Sequence, residues 1–215
     1  MRTLILLTAM FFYQNANSQH RVNKFSASIL SNLYSYGEGQ GSLNNVVRLS
    51  EGLAFTFKTY DTVKKHKGMI YEFTANTTTA YYKNIIGNNS VLEVNDLHTN
   101  INLIFPMFIF YKKDIEHSFG IGIGIGTLAG RDYLDENNNF LPYNSTNLKD
   151  IKFGKYWTSS FMLDYELDLK FSKRLGLNLG LRYTTETPVH SGNTQYVITQ
   201  GTGLSFKYGI FYQFK

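Results

Sequence analysis

The side chains best suited to chemistry in this chain are charged residues set into segments that are otherwise apolar on every second position. Between Trp157 and Phe171, Asp164, Glu166 and Asp168 alternate with Leu163, Tyr165, Leu167 and Leu169, and between Leu175 and Thr184, Arg182 shares a face with Gly176, Asn178 and Gly180. A period of two is that of a strand, so each set of charges lies on one face. Folding these two segments about Lys173 sets Asp164 opposite Arg182, with Leu163 opposite Tyr183, Tyr165 opposite Leu181 and Leu167 opposite Leu179. Folding two earlier segments about Lys65 sets Lys58 opposite Glu72, and Lys207 occupies the same kind of position near the end of the chain. Charges held away from water are costly unless paired. The expectation is an ionic network of Lys58, Glu72, Asp164, Glu166, Asp168, Arg182 and Lys207 filling an interior, a structural chemistry and not a catalytic one.

Other chemistries find little support. There is no cysteine, and His20, His66, His98, His117 and His190 never fall at ligand spacing, so no metal site and no cofactor is expected. The acidic stretch Asp132–Asn139 lacks the alternating ligands and the glycine of a calcium loop. Nucleophilic catalysis has two candidate pairs, His98 with Thr99 and His190 with Ser191. Neither has an acid partner, and neighbours along a strand point to opposite faces, so no catalytic residue is assigned. Gly120, Gly122, Gly124 and Gly126 alternate with Phe119, Ile121, Ile123 and Ile125 inside a strand pattern. A phosphate-cradling loop would need its glycines in a turn between strand and helix, so these four read as a strip of small residues on the inner face.

Eight period-two segments must position these residues: about Lys24–Tyr36, Val47–Tyr60, Gly68–Tyr82, Asn95–Tyr111, the glycine strand from Ser118, Trp157–Phe171, Leu175–Thr184 and a last one running to the C-terminus. The longest apolar run, Leu103–Tyr111, is nine residues with Pro106 inside it, too short for a membrane helix and the length of a membrane strand. Centring the fourth and fifth segments on Asp114 sets Phe108 opposite Gly120, Pro106 opposite Gly122 and Ile104 opposite Gly124, so that Ile109 faces outward and the glycines make room for Phe108. Connections near 37–46, 83–94, 129–156 and 185–200 are long, and those near 61–67, 112–116 and 172–174 are short. That asymmetry belongs to membrane barrels with long extracellular loops and short periplasmic turns. A soluble β-sandwich would also alternate, but glycine on its watered face would serve no purpose.

The first residues combine Arg2, the apolar Leu4–Phe12 and small residues at Ala16 and Ser18, the pattern of a signal peptide over residues 1–18 with cleavage before Gln19. Residues 19–215 then form the barrel. Without Arg2, 20 basic residues face 16 acidic ones in a scattered arrangement that gives no nucleic-acid footprint.

With this leader, the strand pair His98–Gly130 carrying a mid-strand proline, a basic turn and a glycine-alternating partner, and the closing GLSFKYGIFYQFK, the chain resembles the small outer-membrane β-barrel family common in Bacteroidota. These are architectural relatives of the transmembrane domain of outer-membrane protein A. The resemblance implies an all-β, eight-stranded antiparallel up-and-down transmembrane barrel in the Gram-negative outer membrane, surrounded by lipid and lipopolysaccharide. It also implies a last strand read by the outer-membrane insertion machinery, although here Phe214 is followed by Lys215. The expected role is structural or interactive, exercised through the long loops on an extracellular or envelope partner, with 129–156 foremost. The alternative is a narrow channel or carrier for small hydrophobic molecules lined by Phe108, Phe110 and Met162. Lipid A modification, or membership of a larger envelope complex, ranks below both.

Overall fold

The computed structural model describes residues 21–36, 47–61, 68–83, 91–134, 157–188 and 201–214. They form strands β1 (Arg21–Tyr36), β2 (Val47–Asp61), β3 (Gly68–Lys83), β4 (Val91–Lys112), β5 (Ile115–Leu134), β6 (Trp157–Lys170), β7 (Leu175–Pro188) and β8 (Gly201–Phe214). Each strand pairs antiparallel with the next, and β1 pairs with β8, so the sheet closes on itself as an eight-stranded up-and-down barrel. Closure leaves no unpaired edge. The leader at 1–18 and the connections at 37–46, 62–67, 84–90, 135–156 and 189–200 lie outside the described residues.

The two faces are reversed relative to a water-soluble domain. Among the described residues, 23 buried side chains are polar or charged and eight are hydrophobic, whereas the exposed set includes Phe55, Phe73, Ile101, Ile123, Phe161, Leu179, Phe206 and Ile210. A sandwich would bury that apolar set, so the alternation marks an outward face suited to lipid around a polar interior.

Among the described residues, two turns lie at the short-connection end. β4 and β5 are joined by Lys113 and Asp114, with Lys113 at φ 58°, a left-handed conformation that glycine adopts more readily. Between β6 and β7 the Ser172 hydroxyl accepts hydrogen bonds from the backbone N–H groups of Arg174 (3.2 Å) and Leu175 (2.9 Å), a local cap that fixes the corner.

Three expectations need correcting. The strands run further than the apolar pattern suggested: β4 begins at Val91, β5 continues to Leu134 and β7 to Pro188, so Asp132–Leu134 belong to a strand. Ladder pairing continues past the apolar band, where Thr78, Thr79, Asn95 and Asp96 remain in register although alternation has ceased. The β2–β3 register is shifted by two from a fold about Lys65: Thr56 lies opposite Glu72 and Lys58 opposite Ile70. A shift of two keeps every side chain on its face, so Lys58 and Glu72 are both buried but are not cross-strand partners.

The third correction concerns β4. Between Pro106 and Phe108 the pairing slips, with Pro106 opposite Gly120 and Phe108 opposite Phe119, leaving Met107 as the extra residue of a β-bulge beside a proline that has no N–H to give the ladder. Met107 and Phe108 both face outward, and beyond them the faces are exchanged: Ile109 is 2% exposed, while Phe108 and Phe110 are 57% and 61% exposed and stack at 6.3 Å. Tryptophan placed at 108 or 110 in a Trp157→Phe background should therefore be quenched by brominated lipid, and tryptophan at 109 should not. Equal quenching at 109 would show that the slip is absent.

Candidate functional site

The bulge decides what the glycine strip receives. Its partners are Pro106 for Gly120, Ile104 for Gly122, Asn102 for Gly124 and Asn100 for Gly126 on β4, and Met162, Ser160 and Thr158 face the last three from β6. A methyl group on Gly122 would meet Met162 Cγ at 2.5 Å and Ile104 Cγ1 at 2.8 Å. On Gly124 it would strike both Asn102 Oδ1 and Ser160 Oγ, and on Gly126 Asn100 Oδ1, with Thr158 Oγ1 at 2.8 Å. The bare face of β5 thus lets side chains from β4 and β6 come together above it. Ile104 and Met162 join Ile70 in the small apolar cluster of the lumen. Phe108 has no part in this.

Below that cluster lies the charged interior. All seven of the charged residues singled out from the sequence are buried, and two more, Lys24 and Glu116, are buried with them. From the turn end, Lys24 contacts Glu116 and Asp168 (2.8 Å to the latter) and lies 4.8 Å from the centre of the Phe211 ring. The Tyr60 hydroxyl donates to Glu116 at 2.5 Å. Lys58 bridges upward, 2.8 Å from Glu166, 3.2 Å from Asp168 and 3.4 Å from Glu116, and donates to the Ser118 hydroxyl at 3.1 Å. Lys207 pairs with Glu166 and, at 3.2 Å, with Glu72. Arg182 spans Glu72 and Asp164: Nη2 donates to Glu72 at 3.0 Å, Nε to Asp164 at 2.8 Å, and Nη1 also contacts Glu72.

Neutral groups complete the acceptor shells. Asn178 donates to Asp168 at 2.6 Å, Asn102 to Glu72 at 3.0 Å and Thr56 to Glu72 at 3.2 Å. Satisfying each charge this way is what permits it to remain in a lumen without bulk water. The nine charged groups form one connected series from Lys24 to Asp164, drawn from β1, β2, β3, β5, β6, β7 and β8. Such an arrangement fixes the relative position of seven strands.

Lys24, Tyr60 and Glu116 were missed in reading the sequence, although the signal was present. Lys24 has the parity of Ser26 and Ser28, Tyr60 that of Thr56 and Lys58, and Glu116 that of Ser118 and Gly120. Glu116 falls within the short connection expected near 112–116, and Lys24 is the first residue of the first period-two segment. Of the catalytic candidates, His98 and Thr99 are half-buried on β4, and His190 and Ser191 lie outside the described residues. On the outer face His117 Nδ1 and the Tyr165 hydroxyl share a 2.7 Å hydrogen bond.

Above the network, at the long-connection end, the lumen holds a small recess with Arg182, Asn102 and Met162 low on its wall and Thr74, Asn76, Asn100 and Glu186 around it.

No protein-family model matches the sequence, and no curated protein matches it. In three dimensions the chain is similar to the crystal structure of Neisserial surface protein A, at 9% identity over 89% of this chain and 97% of that one, with a TM-score of 0.47. It is similar also to Ail, the attachment invasion locus protein of Yersinia pestis, solved with the heparin analogue sucrose octasulfate, at 8% identity over 91% and 100% of the two chains and a TM-score of 0.47. Escherichia coli outer membrane protein W matches at 14% identity over 92% and 100%, with a TM-score of 0.42. The fold assignment rests on the chain's own strand register and closure.

Proposed function

We propose that this chain is an outer-membrane β-barrel with a plugged lumen, serving a structural or interaction role through the connections at its long-loop end. The observation that carries this reading is the continuous series of ion pairs from Lys24 to Asp164, in which the buried side chains of Lys58, Glu166 and Lys207 meet across the interior of the barrel. An eight-stranded barrel is just wide enough for its own side chains to fill it. The apolar outer face supports a lipid surrounding, with lipopolysaccharide in the outer leaflet. The leader over 1–18 and the aromatic last strand support export followed by insertion through the outer-membrane machinery. Partners would meet the protein at 37–46, 84–90, 135–156 and 189–200, and a role as subunit of a larger envelope complex would be exercised through the same segments.

The carrier reading for small hydrophobic molecules depended on Phe108, Phe110 and Met162 lining the interior. With both phenylalanines outside, Met162 is the one of the three that remains buried, in contact with Ile70 and Ile104, and the series of charges crosses the interior beside it. Purified protein reconstituted in a planar bilayer is expected to show no stable single-channel steps. Reproducible steps would overturn the plugged reading.

A further inference from the structure

The basic excess of this chain is scattered along the sequence, and the fold gathers it at one end of the barrel. The short connections 62–67, 113–114 and 171–174 hold six lysines and arginines against one acid, Asp114. The long connections 37–46, 84–90, 135–156 and 189–200 hold three against four. In the lumen four cations meet five carboxylates, so the interior leaves no positive charge over.

The two turns at this end are held side by side. The Lys170 N–H donates to the Asp114 carbonyl at 2.8 Å and the Gln213 N–H to the Arg174 carbonyl at 2.7 Å, tying the β4–β5 turn to β6 and the β6–β7 turn to β8. Lys112, Lys113, Lys173 and Arg174 are exposed along this rim, and among the described residues the three lysines form no ion pair. Arg174 is aimed by its 3.1 Å bond to the Tyr212 hydroxyl. Lys113 holds a φ of 58° that glycine adopts without strain, so a charged side chain stands where the backbone alone favours none. Next to these cations stand apolar side chains: Phe110 and Phe171 are 61% and 65% exposed, with Ile115 and Leu175 beside them. Long basic side chains lie along such apolar surface and place their charge at the level of lipid headgroups.

We propose that this rim binds the phosphate groups of anionic phospholipid, with Lys112, Lys113, Lys173 and Arg174 as donors and Phe110 and Phe171 seated among the acyl chains. On the reading of the chain as an outer-membrane barrel, on which this proposal rests, the leaflet concerned is the periplasmic one. The exposed phenylalanines select a lipid over a soluble anion, which needs the charge and not the rings.

The test uses the chain from Gln19 onward, refolded into vesicles of phosphatidylcholine and phosphatidylglycerol in a fixed ratio, with only one of the two lipids brominated. In the native chain Trp157 reports from the outer face at the long-connection end, and in Trp157→Phe/Phe171→Trp the reporter moves to the rim. At the rim and at low salt, phosphatidylglycerol should quench as though enriched about fivefold, and the preference should fall as salt is raised. At Trp157 the two lipids should quench alike. Adding Lys113→Gly, Lys173→Gln and Arg174→Gln should bring the rim ratio to about one, while Lys113→Gly alone leaves the urea unfolding midpoint unchanged or higher because glycine relaxes the left-handed turn. Equal quenching at the rim, the same preference at both ends, or a preference that survives the three substitutions overturns the assignment and leaves the barrel standing. Absence of quenching by either lipid at either position removes the bilayer, and the barrel reading falls together with this one.

Discussion

Arg182→Ala is expected to destabilise the barrel by about 3–5 kcal/mol, the cost of breaking a buried ion pair from one side. Glu72 and Asp164 would stay buried at about 2% exposure with their principal cation gone, and Lys207, already shared with Glu166, could neutralise only part of the deficit. Neutralising the cluster as a whole should behave differently. In Glu72→Gln, Asp164→Asn, Arg182→Met no unpaired charge remains, and most of the loss should be recovered, since a well-packed neutral replacement of a buried ion pair is often tolerated. Trp157, the single tryptophan, reports unfolding in urea, and loss of heat-modifiable migration on gels gives an independent measure. A triple variant less stable than Arg182→Ala would mean that the carboxylates contribute beyond their pairing with this guanidinium.

Gly122→Val should be nearly as damaging, for a reason of space and not of charge. The first added carbon already falls 2.5 Å from Met162 Cγ and 2.8 Å from Ile104 Cγ1, and the branched remainder would enter the Ile70, Ile104 and Met162 cluster. Overpacking of this kind costs about 1–3 kcal/mol where neighbours can yield and more where they cannot. Met162→Ala alone opens a cavity and should cost about 2–5 kcal/mol. Combined, each change supplies what the other lacks, so Gly122→Val/Met162→Ala should be more stable than the sum of the two single effects by about 1–3 kcal/mol in equilibrium unfolding. Simple additivity would place the valine somewhere other than against Met162.

The sequence displayed the barrel because membrane strands are written in a period of two that survives even when one face is glycine. Ile121, Ile123 and Ile125 on one side and three glycines on the other left no other element to consider. The β6–β7 hairpin was legible to the residue, with Asp164 opposite Arg182, because a four-residue corner between two strongly alternating strands admits one register. The Met107 bulge was hidden for a physical reason: the run from Leu103 to Tyr111 is apolar on both faces, so a slip by one residue leaves no mark in the pattern. Partner choice within the lumen was hidden for another. Parity tells which face a charge occupies, but Glu72 meets Arg182 and Lys207 across the interior, and only closure of β1 on β8 sets those distances.

The open face of β5 has a consequence for how substitutions at different positions constrain each other. Strands that share no hydrogen bonds are ordinarily independent in their choice of side chain, and in a closed sheet β4 and β6 are separated by a whole strand. Here residues 104 and 162, 102 and 160, and 100 and 158 meet over glycine, so a change of volume in one is felt by the other while the intervening strand is indifferent. Among descendants of this sequence, compensating exchanges would therefore skip a strand. The pairs that co-vary would be second neighbours around the barrel wall.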